Sequence, residues 1–286
     1  LGLVTTDVPF EFNVGQADPA SVAPSEPPIF ELQYLFDEIP GKIGSHGATI
    51  AALPDGELIA AWYSYSGPHE LDGAAVYMWR RPPGQAWQTP WLHADTADRA
   101  VSAAPGPTVR SPPIRLADGT LLLPGYDDLL LRSIFFVEFA PDTWAVRSVI
   151  RTPDPTLNTQ PAVVELADGR LLAVMRNTDG GQLWVSASAD GGHHWARPRG
   201  GGFINPDSAA TMTRLSSGRL LLVLNDSENS RRRLSASLSA DEGRTWTRPR
   251  AIIEDGGQHA YPAITQAPDG LIHVLYTHDR RYIGHA

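Results

Sequence analysis

Five copies of one phrase constrain this chain more than anything else in it. Each copy is a few small or polar residues, an apolar run, a turn containing Gly, and a second apolar run. The copies occupy residues 46–62, 111–126, 160–175, 207–224 and 261–276. Their turn glycines are Gly56, Gly119, Gly169, Gly218 and Gly270, separated by 63, 50, 49 and 52 residues. In each copy an Asp-Gly or Ser-Gly pair lies between two strand-like runs, where a tight turn needs a residue tolerant of positive φ. Each copy therefore reads as a β-hairpin. The second runs, such as Leu121 to Leu123, Leu171 to Val174 and Leu220 to Leu224, are continuously apolar, which suits strands buried on both faces.

A period near fifty residues is that of a propeller blade. The predicted fold class is all-β, a β-propeller of about five four-stranded antiparallel blades. A second motif marks the outer half of the blade: residues 188–195 and 239–246 both spell S-x-D-x-G-x-x-W. Its spacing is mechanical, since the Asp accepts hydrogen bonds from turn amides, the Gly adopts a left-handed conformation and the Trp packs beneath the hairpin. A degenerate copy ends at Trp87, and blade two keeps only Trp144. The last repeat lacks a strand, and residues 29–36 alternate like one, so this segment is expected to pair with the final blade. The expected domains are a Pro/Ala/Ser-rich extension, residues 1–28, either wrapped on the outside or mobile, and a single propeller, residues 29–286.

Composition agrees with many short strands joined by tight turns: 26 Gly and 25 Pro are spread through 286 residues, with 42% apolar and 19% charged. The formal net charge of −9 argues against nucleic acid as a partner. There is no Cys, which excludes disulfides and thiolate metal sites. No apolar run reaches the length of a membrane span. The chain begins at Leu1 rather than Met, so a removed N-terminal segment and a secreted or periplasmic location are expected.

Two intact S-x-D-x-G-x-x-W boxes in a repeat of this length resemble the sialidase (neuraminidase) superfamily, and more closely its bacterial BNR, or Asp-box, branch of predicted neuraminidase-like proteins. The resemblance covers roughly residues 29–286; the family is six-bladed, whereas the five repeats here, with 63 residues between the first two turn glycines, leave this chain one blade fewer. It further implies an acidic glycan as partner and a retaining exo-glycosidase with three arginines on the substrate carboxylate, a Tyr nucleophile assisted by a Glu, and an Asp acid/base. A guanidinium matches a carboxylate with paired, charge-assisted hydrogen bonds, and a phenol needs a neighbouring base to attack an anomeric carbon. Tyr261, opening the last repeat, resembles the nucleophile. Asp72 falls where the acid/base lies, with Glu70 as the alternative register. Arg176 resembles one family Arg, and Arg231, Arg232 or Arg233 another.

The departures matter as much. His46 stands where the family's first Arg is found, and Thr159 where its Glu assists the Tyr. Arg110 offers a substitute cation and His259 a further polar contact. The expected site is thus Tyr261, Asp72 and His46 as catalytic groups, with Arg110, Arg176, Arg231 and His259 binding substrate. No cofactor and no metal are expected, because the adjacent His193 and His194 sit inside an Asp-box turn and read as surface residues. Three functions fit these residues: hydrolysis of a terminal acidic sugar, a polysaccharide lyase on uronic-acid glycans using His46 or Tyr261 for proton abstraction, and a non-catalytic glycan-binding propeller.

Overall fold

The computed structural model describes residues 8–23, 30–70, 72–89, 91–95, 107–127, 134–139, 146–151 and 157–286. Trp144 and Ile29 lie outside them. Five antiparallel sheets form the blades of an all-β, five-bladed propeller fold. Blades one, three, four and five have four strands each. In blade two the innermost strand is split into Pro107–Val109 and Ile114–Arg115, and both pieces pair with Leu121–Asp127.

The five hairpins are closed alike. In blade one the Gly56 amide donates to the Leu53 carbonyl and the Leu53 amide to the Glu57 carbonyl; the same pair of bonds recurs at Leu116, Leu166, Leu215 and Ala267. This is a type I turn followed by a left-handed residue, and the five glycines have φ between 80° and 89°. Asp55, Asp118, Asp168 and Asp269 each accept from the amide two residues on, which is why Asp precedes Gly in four of the five copies.

Contacts divide the chain into two compact units. The first holds blades two and three and most of blade four. Its core has two apolar clusters, one including Leu122, Phe136, Leu171 and Trp195, the other Leu172, Leu222, Phe203 and Trp246. The two Asp boxes lie here and are superposable in their bonds. Ser188 Oγ donates to Asp190 Oδ1, which also accepts the His194 amide, and Trp195 Nε1 donates to the Gly192 carbonyl. Ser239, Asp241, Thr245, Trp246 and Gly243 repeat the set. The N-terminal segment also belongs to this unit: Asn13–Val14 pairs in parallel with Thr245–Trp246, and Phe12 is buried against Phe203 and Trp246. It adds an apolar anchor to the core.

The second unit holds blades one and five. Gln33–Tyr34 pairs antiparallel with Tyr282–His285, so the strand expected within residues 29–36 does complete the last blade. Leu35, Trp62, Trp79, Leu275 and Ile283 form its core, with Phe36 stacked on Trp62 at 5.0 Å between ring centroids. In the degenerate box, Arg80 makes a two-pronged ion pair with the buried Glu57, at 2.7 and 2.6 Å.

Candidate functional site

The inner strands of blades one, three and five carry the same irregularity. Their register shifts between His46 and Thr49, Thr159 and Ala162, and Ala260 and Ala263. The residue at the shift has positive φ in each: Gly47 at 65°, Gln160 at 53° and Tyr261 at 53°. Such bulges re-aim side chains beside functional sites. Gly tolerates this conformation; for a bulky Tyr it is strained, and strain of this kind is a pointer to function.

In the second unit the bulges bring His46 and Tyr261 together. The two rings meet edge to face, with centroids 4.4 Å apart and planes at 82°. His46 is buried, its Nδ1 lies 3.1 Å from Thr277 Oγ1, and its Nε2 is 4.0 Å from Glu70 Oε1. The Arg231 guanidinium lies 5.9 Å from the centre of the Tyr261 ring, and the Arg231 carbonyl accepts the His259 amide at 2.7 Å. Among the three arginines of that run, Arg231 is therefore the one turned to Tyr261; Arg232 is exposed and Arg233 lies 3.8 Å from Glu254.

Glu70 gathers the remaining polar groups. It accepts from Tyr63 Oη at 2.8 Å and from Arg280 Nη1 at 2.6 Å. Burial first, then the bond to Glu70, pushes the Tyr63 phenol well above the ordinary tyrosine range, so Tyr63 stays a proton donor to the carboxylate. Arg280 sits in the turn after residue 278 with Asp279, both in the left-handed region at φ 55° and 51°. Its carbonyl accepts the Ser45 amide at 2.9 Å. Asp72, in contrast, is exposed and accepts the His69 amide at 3.0 Å within its own loop. Of the two acidic residues in this loop, Glu70 faces His46 and Asp72 shapes the loop.

His259 is fully buried and faces Asp255 and His278 rather than the Tyr261 ring: its Nε2 is 2.9 Å from Asp255 Oδ1, and its ring centroid is 4.7 Å from that of His278. Burial lowers its pKa, and Asp255 opposes the shift.

Arg176 and Arg110 belong to the first unit. Arg176 grips Asp207 with two bonds, Nε to Oδ1 at 2.5 Å and Nη2 to Oδ2 at 3.0 Å, and reaches Gln160 Oε1 at 3.2 Å. Its fork is thus already matched by a carboxylate of the chain. Arg110 is half-buried at the break in the inner strand of blade two. Thr159, at the place of the assisting Glu, is buried beside Asn158. His194 binds Asp190 at 2.6 Å and closes the Asp box.

Sequence reasoning passed over Tyr63 and Arg280. Tyr63 reads as one more aromatic in a strand, and nothing in the run 279–281 distinguishes Arg280 from Arg281.

The BNR repeat-like domain model matches residues 43–274. No curated protein matches the sequence. Among solved structures, the Hadza microbial sialidase Hz136 is similar at 19% identity and a TM-score of 0.53, over 85% of this chain and 52% of that one. A second sialidase is similar at 16% identity and a TM-score of 0.57, over 86% of this chain and 31% of its own. The NanB sialidase from Streptococcus pneumoniae is similar at 12% identity and a TM-score of 0.53, over 85% and 56% respectively. The chain thus spans about half or less of the first sialidases it resembles, and at these identities the likeness is one of fold. With the repeat, the two Asp boxes and a family match over most of its length, the chain belongs to the BNR repeat-like domain family.

Proposed function

We propose that this protein processes glycans as a sialidase-like glycoside hydrolase, acting on a terminal acidic sugar outside the cytoplasm. The observation that carries this reading is Tyr261 in a left-handed backbone conformation, with His46 at 4.4 Å and the Arg231 guanidinium beside the same ring. In this scheme Tyr261 Oη attacks the anomeric carbon while His46 accepts the phenolic proton, the role that Glu has in the wider family. The bond to the leaving oxygen breaks, and that oxygen takes the phenolic proton, passed on from His46 through Glu70, whose Oε1 lies 4.0 Å from His46 Nε2. Water then cleaves the tyrosyl-sugar bond on the opposite face, giving net retention. Arg231 holds the sugar carboxylate. Arg176 is already paired with Asp207 and takes no part in this scheme.

A second reading, β-elimination from a uronic-acid glycan, is favoured by the same contact, because a His beside a Tyr supplies a base and an acid without a partner Glu. The two are separated by one experiment. Sialosides and uronate polysaccharides are incubated with the protein, and products are assayed for released reducing sugar and for the ultraviolet chromophore of an unsaturated uronate. Release without the chromophore supports hydrolysis, and release with it supports elimination. Binding without turnover of any substrate leaves a glycan-binding propeller in place of both.

A further inference from the structure

Next to the candidate site lies a cluster that neither reaction uses. Asp255, His259 and His278 each turn one ligand atom inward, and these atoms all lie within 4.8 Å of one another. We propose that they bind a divalent transition-metal ion, with zinc as the natural occupant, and that the ion fixes the strand pair carrying Tyr261 and Arg280. The sequence reading foresaw no metal because the three residues are spread over a loop and two strands; their pairing register, His259 opposite His278, is what joins them.

The donor set decides the class of ion. Two imidazoles and one carboxylate suit zinc and its late first-row neighbours, whereas calcium and magnesium prefer all-oxygen shells. A tetrahedral ion with ligand bonds of about 2.0–2.2 Å holds its donors about 3.4 Å apart, so the present atoms need to shift by only roughly 1 to 1.5 Å. Asp255 is exposed, which gives an ion a way in from solvent.

The surroundings are built for such a site. Tyr34 Oη lies 2.6 Å from His278 Nδ1, which leaves Nε2 as the ligating nitrogen. Holding the far nitrogen of an imidazole in this way is how metal-binding histidines are oriented. Asp255 Oδ1 accepts the Gly257 amide at 3.0 Å. Asp279 Oδ1 accepts the Gln258 amide at 2.7 Å, while its Oδ2 is 3.3 Å from His278 Nε2. Gly257 lies directly over that nitrogen: a Cβ there would stand 2.1 Å from it. A side chain at 257 would therefore fill the space a metal needs.

The consequence for the candidate site follows from chain geometry. Tyr261 is two residues beyond His259, and Arg280 two beyond His278. An ion bridging the two histidines ties together the ends from which both side chains project. It also engages Tyr34 through His278, and so pins the closing strand of blade five. None of this depends on which reaction the protein performs.

The test uses the tag-free chain, stripped with EDTA, dialysed, and titrated with zinc chloride, with bound metal counted by mass spectrometry. The expected result is one zinc per chain, with a rise in melting temperature that grows with free zinc. Cobalt(II) in its place should give the intense visible absorption of a tetrahedral site. His278→Gln and Asp255→Asn should abolish uptake, and Tyr34→Phe should weaken it by about 10- to 100-fold. Asp255 is exposed, so its variant keeps the fold and tests the site even where His278→Gln does not. Failure of the parent chain to take up zinc overturns the proposal. So does uptake that survives Asp255→Asn, or that is lost instead in His194→Ala.

Discussion

His46 and Tyr261 meet edge to face at 4.4 Å between ring centroids, although 215 residues separate them in the chain. Each stands at the bulge of an inner strand, one in blade one and one in blade five. If His46 takes the phenolic proton, His46→Ala and Tyr261→Phe act on one step. Each should lower kcat by about a thousandfold, and the double variant should be scarcely worse than either. Additive losses measured in steady-state kinetics would show that the two side chains work apart.

The loop between residues 66 and 73 offers two carboxylates with different jobs. Glu70 accepts from Tyr63 and Arg280, whereas Asp72 accepts a loop amide. Glu70→Gln should remove most of the turnover with little change in melting temperature. Asp72→Asn should cost about tenfold or less, mainly in KM, because a slackened loop only misplaces Glu70. The reverse ranking would return the acid/base role to Asp72.

The Asp-box tryptophans are structural. Trp195 is stacked on Phe136 at 4.4 Å, and Trp246 packs on Phe12 and Phe203, with both indoles buried. Trp195→Ala and Trp246→Ala should each destabilise the protein by about 3–5 kcal/mol, read from chemical denaturation. Activity per folded molecule should stay near that of the parent.

Acid sensitivity should come from the histidine pair beneath the closing strand. His273 Nδ1 and His285 Nε2 are 3.0 Å apart, and His285 Nδ1 lies 2.9 Å from Gln33 Nε2. Burial first, then His273 and Arg81, pushes His285 down to about 3; burial, then Arg81, lowers His273 as well. Both folded values lie below the ordinary histidine value of about 6.5, so the unfolded chain takes up protons first. Stability is therefore complete above about pH 6.5 and is lost as pH falls towards 3, by up to about 1.4 kcal/mol per unit for His285. Melting temperatures in EDTA between pH 8 and 4 should fall with this sign. His285→Gln should flatten the curve, and an equal slope in parent and variant would place the acid sensitivity elsewhere.

Much of the fold was legible because its signals are local. A Gly needed at positive φ, an Asp capping the turn before it, and a Trp three residues after the Asp-box Gly are determined within a dozen residues of chain. Repeated at a blade-length period, they specify hairpins, blades and their number. The closing strand was legible too, since an unpaired edge at one end of the chain must find its partner at the other. The Phe12 anchor was not: one aromatic in a Pro- and Ala-rich segment carries no period.

At the site, residue types pointed to Tyr261, His46 and the arginine run, while their partners were hidden. That Glu70 rather than Asp72 faces His46 depends on how a loop folds, and two residues of register reverse it. That Arg176 spends its fork on Asp207, and that His259 turns towards Asp255 and His278, depends on side chains far apart in sequence. The sequence by itself determined the blades, because turn and strand propensities act over a few residues. Only the tertiary structure decided which charges meet, because hydrogen bonds and ion pairs act over a few ångströms between segments whose distance along the chain says nothing about their distance in space.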